Sequence, residues 1–160
     1  MTIELKGIID VDTVNYKKIC MVLEFPKCDF KCDRDCGQRV CQNSALAQAS
    51  SIEYDVWNII ENYLHNPLTE AIVCQGLEPF DTLGQLYNFI DAFRQKCDDD
   101  IVIYTGYKEE EIYPYVQFLK ERHKNIIIKF GRFKPNDTPY YDEVLGVNLA
   151  SHNQYARKIS

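Results

Sequence analysis

The sequence predicts an α/β protein built on an open, partial (β/α) barrel-like parallel sheet. Residues 19–25, 71–74, 101–104 and 126–130 are short and almost wholly apolar, the pattern of strands buried on both faces. Between them lie segments whose apolar residues recur at helical spacing. Strand and helix therefore alternate with short connections, which requires parallel strands joined by right-handed crossovers. Four such strands, with pieces added at either end, are too few to close a barrel of about eight strands.

A short apolar piece opens the chain at residues 5–9, and a polar connection follows, ending in Tyr16-Lys17-Lys18. The run at 19–25 is broken only by Glu24, and Pro26 stops it. Ser50 followed by Glu53 is a capping-box pattern, and Ile52, Val56, Ile59, Ile60 and Leu64 then fall at helical spacing until Asn66-Pro67 ends the helix. Residues 71–74 run into Gln75-Gly76-Leu77-Glu78-Pro79-Phe80. Asp81 is placed to cap a helix with the stripe Leu83, Leu86, Tyr87, Ile90 and Phe93. Residues 101–104 turn at Thr105-Gly106-Tyr107 into a helix over about 108–122, and 126–130 ends at Gly131. In sheets of this kind ligands bind outside the carboxyl ends of the strands. The loop after Phe25, the Gly-Leu-Glu-Pro turn, the Thr-Gly-Tyr turn and the loop after Phe130 all leave at that end.

The loop after Phe25 stands apart chemically. It holds Cys28, Cys32, Cys36 and Cys41 among Asp, Lys, Arg and Gly, with no apolar period that packing could explain. Thiolates gathered this densely hold a metal or a cluster. The chain has seven cysteines, an odd number, and Cys20, Cys74 and Cys97 fall in apolar or helix-like runs, so a disulfide framework does not fit. No secretory leader or membrane-length apolar run is visible, and a reducing cytoplasm is expected. A net charge of −6 without a basic stripe argues against sequence-independent nucleic-acid binding. At 160 residues the chain is one domain, 1–160, long enough to bury roughly 70% of its unfolded surface.

The ordered motifs resemble the radical S-adenosylmethionine superfamily, and most of all the small activating proteins of anaerobic ribonucleotide reductase. That family carries Cys-x3-Cys-x2-Cys with Asn two residues past the third cysteine, a Gly-Gly-Glu or Gly-Gly-Asp-Pro turn, Tyr-Thr-Gly-Tyr, an Asp-Gly-Arg-Phe-like turn and a late Ser-x-Asn-Gln. Here the same order reads Cys28 and Cys32, Cys41-Gln42-Asn43, Gly76-Leu77-Glu78-Pro79, Tyr104-Thr105-Gly106-Tyr107, Gly131-Arg132-Phe133 and Ser151-His152-Asn153-Gln154. Two departures stand out. Position 35 is Asp, so the third ligand is Cys36, one residue late, or Cys41, which Asn43 favours; Leu77 replaces the second glycine of the turn.

The resemblance implies a compact radical S-adenosylmethionine core with its cluster loop at 26–43. A 4Fe-4S cluster held by Cys28, Cys32 and Cys41, with Cys36 as the alternative, would leave one iron open to chelate S-adenosylmethionine. Gln75, Gly76, Glu78, Tyr104, Thr105 and Gly106 would bind the cofactor: Gly76 by close backbone approach, Glu78 by accepting from the ligand's ammonium, Thr105 and Gly106 on the ribose or adenine side. A large glycyl-radical enzyme as partner and an electron donor such as flavodoxin or ferredoxin are further implications. With nearly all of the chain used by sheet and cofactor loops, little is expected to remain for a lid.

Other readings fit parts of the pattern. One is a radical enzyme acting on a small molecule or peptide. Another is a non-catalytic zinc or cluster module, although cysteine spacings of three, three and four in one run suit paired zinc knuckles poorly. His65, His123 and His152 read as surface residues, Trp57 as packing, and the acidic runs 98–100 and 109–111 as solvated.

Overall fold

The computed structural model describes residues 1–40 and 43–160. In chain order the strands are β1 (Thr2–Leu5), β2 (Gly7–Asp12), β3 (Cys20–Phe25), β4 (Ile52–Asp55), β5 (Ala71–Gly76), β6 (Asp100–Tyr104), β7 (Ile126–Phe130), β8 (Tyr140–Asp142), β9 (Val147–Leu149) and β10 (Tyr155–Lys158). The helices are α1 (Lys31–Cys36), α2 (Ser44–Gln48), α3 (Val56–His65), α4 (Leu83–Arg94) and α5 (Tyr113–Arg122), with 3-10 turns at Pro79–Thr82 and Glu109–Glu111.

Six strands form one mixed sheet in the order β10-β7-β6-β5-β3-β2. The four inner strands β3, β5, β6 and β7 are mutually parallel, and both edge strands, β2 and β10, run antiparallel to their neighbours. The sheet is thus mixed rather than wholly parallel. Alternation sorts the inner strands' side chains between two cores. Met21, Leu23, Phe25, Ile72, Cys74, Ile101, Ile103, Ile126 and Ile128 pack against α3, α4 and α5. Cys20, Val22, Val73, Val102 and Ile127 face the other way and meet Tyr16, Leu145 and Leu149. Burial on both faces is why these strands read as unbroken apolar runs.

Four local expectations need correction. Residues 52–55 are not the first turn of a helix: they form β4, antiparallel to β1 with Thr2 opposite Asp55 and Leu5 opposite Ile52. The pairing satisfies backbone groups of the N-terminal strand, so Ser50 and Glu53 form no capping box. The cap of α3 is Asp55, whose Oδ1 accepts from the Asn58 amide at 3.0 Å. Likewise Asp81 lies inside a 3-10 turn whose cap is Glu78, and α4 starts only at Leu83. The acidic runs are not merely solvated: Tyr63 OH donates to Asp99, Asp100 takes Tyr16 OH and Lys18, and Glu111 pairs with Arg132. His123 is also more than a surface residue, with Nε2 2.7 Å from Asp91 and its side chain largely covered. Trp57 packs against the helix-side core. Among the described residues no helix is long and apolar enough to cross a membrane.

Candidate metal centre

The inner strands end at Phe25, Gly76, Tyr104 and Phe130, and a cavity of about 340 Å³ lies at this edge. Cys28, Cys32, Gln75, Gly76, Glu78, Tyr104, Thr105 and Gly106 all line it, as do Lys31 and Lys129. Cys36, at the last position of α1, does not. Cys41 lies outside the described residues. Asn43, close behind it in sequence, lines the cavity and donates through Nδ2 to the Gly76 carbonyl at 2.7 Å.

A wall that the sequence did not lead us to expect closes the far side. Gly131, Phe133, Asn148, Leu149, Ala150 and Gln154 reach the cavity from the loop after β7 and the β8–β9 hairpin. Asn153 Nδ2 donates to the Arg132 carbonyl at 2.7 Å and holds the two loops together. Two three-residue strands thus contribute one side of the cavity.

Gly76 has φ of +99°, and a Cβ there would stand 2.7 Å from the Phe25 amide nitrogen and 2.8 Å from Glu24 Cα. The end of β5 is pressed against β3 at this point, and Gly76 also lines the cavity. From this fixed point Leu77 N bonds Phe25 O at 3.2 Å and Glu78 N bonds Lys27 O at 2.7 Å. Glu78 is held almost wholly buried. Its Oε2 accepts from the Gly106 amide at 2.9 Å and its Oε1 from the Phe80 amide at 3.2 Å. Thr105 Oγ1 accepts from the Tyr107 amide at 3.0 Å, fixing the same turn. Burial pushes the Glu78 carboxyl up, while Lys31 and these amides pull it back toward the ionised form.

Two buried lysines are new here. Lys129 interrupts the apolar strand β7, and Nζ donates to the Gly131 carbonyl at 3.2 Å, 5.7 Å from the Tyr104 ring centroid. Burial pushes its pKa down to about 8, against the pull of Glu78 and Cys32. A lone lysine in an otherwise apolar strand was the signal that could have revealed it. Lys31 stands between two cysteines in a polar loop, where no pattern distinguishes it from a solvated residue.

The donor set suits iron and sulfide. Cys28 and Cys32 bring two thiols to one cavity, and the Phe30 amide donates to Cys28 Sγ at 3.2 Å, the kind of N–H···S contact that tunes cluster thiolates. Burial pushes the Cys28 thiol up to about 11, opposed by Lys31 and the Phe30 amide, so metal binding has to release its proton. An α/β sheet presenting cysteines at the carboxyl edge of its parallel strands defines a thiolate-ligated metal protein. The 4Fe-4S single cluster domain family matches residues 18–144, and the chain belongs to that family. No curated protein and no solved structure matches it.

Proposed function

We propose that this protein is a radical S-adenosylmethionine enzyme, cleaving its cofactor reductively at the cavity on the carboxyl edge of the sheet. One observation carries the reading: Cys28, Cys32, the buried carboxylate of Glu78 and the Thr105-Gly106 turn line a single cavity of about 340 Å³. Cys28, Cys32 and a third cysteine would hold the cluster, which would supply the one electron that reductive cleavage of the sulfonium needs. The chain's own residues bind, orient and exclude water. Glu78 accepts from the ligand's ammonium, held in place by the Gly106 and Phe80 amides. Gln75, Gly76 and Tyr104 line the remaining wall. The contact of Asn43 with Gly76 supports Cys41 rather than Cys36 as third ligand, since it holds the chain just after Cys41 beside the cavity.

The proposed substrate is a glycine of a large glycyl-radical enzyme, with flavodoxin or ferredoxin as electron donor in a cytoplasm. The wall built by residues 131–154 favours a second reading, a small-molecule or peptide substrate held without a partner. The test is anaerobic reconstitution with iron and sulfide, reduction with dithionite, and addition of S-adenosylmethionine. The expected product is 5′-deoxyadenosine from the parent and Cys36→Ala, but not from Cys41→Ala. A protein that holds its cluster yet forms none, with or without a glycyl-radical partner, sinks the reading.

A further inference from the structure

Lys31 lies between the first two cysteines of the loop, and its side chain is 1% exposed. Its Nζ is 3.0 Å from Asp29 Oδ1, 3.4 Å from Glu78 Oε2 and 3.9 Å from Asp81 Oδ2. The Tyr107 ring covers it with the centroid 4.1 Å away, and Tyr107 OH donates to Asp81 Oδ1 at 2.6 Å. Three carboxylates and an aromatic face around one ammonium are the chemistry by which proteins recognise a cation. Here the cation belongs to the chain itself.

We infer that Lys31 is a specificity-determining residue: a resident ammonium that a ligand's amino group must displace from Glu78 in order to bind. This rests on the reading of the cavity as an S-adenosylmethionine site. Two ammonium groups on one buried carboxylate oxygen repel each other in a medium that screens them poorly. A ligand bearing an amino group therefore binds against a competitor, and a ligand lacking one does not. Displacing Lys31 also loosens the tie between the Cys28–Cys32 segment and the Gly-Leu-Glu turn, so occupancy of the carboxylate is felt by the metal loop.

The test compares S-adenosylhomocysteine, which carries the amino-acid end, with 5′-methylthioadenosine, which lacks it. Affinities are measured by anaerobic equilibrium dialysis on the reconstituted protein and on Lys31→Met at pH 8. The variant is expected to bind S-adenosylhomocysteine at least about tenfold more tightly, with 5′-methylthioadenosine changed less than about twofold. An unchanged or weaker ratio overturns the inference and leaves Lys31 a structural pin. Failure of both nucleosides to bind either protein overturns the S-adenosylmethionine reading and this inference with it. Should Lys31→Met fail to fold, reductive methylation of the parent decides: Lys31 is expected to be protected alone and modified under saturating S-adenosylhomocysteine. Protection in both states overturns the inference.

Discussion

The turn after β5 and the cysteine loop after β3 leave adjacent strands at the same edge of the sheet, yet they are held by different forces. The turn carries Glu78, Pro79 and Phe80 into the interior, and its amides continue the backbone bonding of β3. In α1 the only buried residue is Lys31, and in α2 there is none. The loop is instead tied by charge. Arg34 pairs with Asp29, Lys31 with Asp29 and Glu78, and Asp35 lies 2.5 Å from Arg132 Nε. Apolar burial shapes the turn whether or not metal is bound; the loop has too little apolar area to fix itself and depends on ion pairs and on its ligand.

The sharpest way to break this contrast is to remove the thiols. Cys28→Ala and Cys32→Ala are expected to abolish the iron-sulfur absorbance after reconstitution. The unfolding free energy of the cluster-free protein in urea should change by no more than about 0.5 kcal/mol, as for ordinary surface changes. A large loss of stability would mean that the loop is part of the core after all. Next comes Glu78→Gln, which removes one of the three carboxylates around the Lys31 ammonium, leaves Asp29 and Asp81 beside it, and should cost about 1–3 kcal/mol by denaturant unfolding. A cost below about 1 kcal/mol would show that Lys31 escapes to water and that the buried pair is not what anchors the loop.

Gly76→Ala tests the turn from the backbone side. With φ at +99° and β3 backbone within 3 Å of the new methyl, a destabilisation of about 1–3 kcal/mol is expected even with cluster bound. The smallest effect concerns the outer tether, Glu111-Arg132-Asp35. The Arg132 hydrogen bond holds the Glu111 carboxyl down to about 2. Its contribution is therefore complete above the ordinary carboxylate range near 4.5 and is lost as pH falls through about 2. Because Glu111 is about a third exposed, Glu111→Gln should flatten the acid slope of the unfolding midpoint by less than about 1 kcal/mol. An unchanged slope removes the tether from the account.

The same contrast explains what could be read from the sequence. The inner strands were legible because burial on both faces left Val22, Val73, Val102 and Ile127 no polar alternation. The cavity residues could be placed because they follow strand ends in a fixed order. The start of α3 was misjudged because Ser50 and Glu53 satisfy a local rule that pairing of β4 with β1 overrides. The β8–β9 hairpin gave no signal, since three-residue strands carry no usable period. Lys31 was invisible because two of its three carboxylate partners, Glu78 and Asp81, lie about fifty residues away in the chain.

The segment before β3 crosses the second face of the sheet and is tied there by bonds to distant residues. Tyr104 OH donates to Asn15 O at 2.6 Å across 89 residues, Tyr16 OH to Asp100 at 2.9 Å across 84, and Lys17 N to Leu145 O at 2.7 Å. Biosynthesis delivers these partners in the wrong order for early closure. When Phe130 leaves the ribosome the helix-covered face has its helices and lacks Ile159, while Val22, Val73, Val102 and Ile127 still face water. A nascent or truncated chain that stops before Leu145 presents that bare sheet to its neighbours, the kind of transient surface that calls on chaperones. The second face and the far wall of the cavity both wait on residues well past the inner strands.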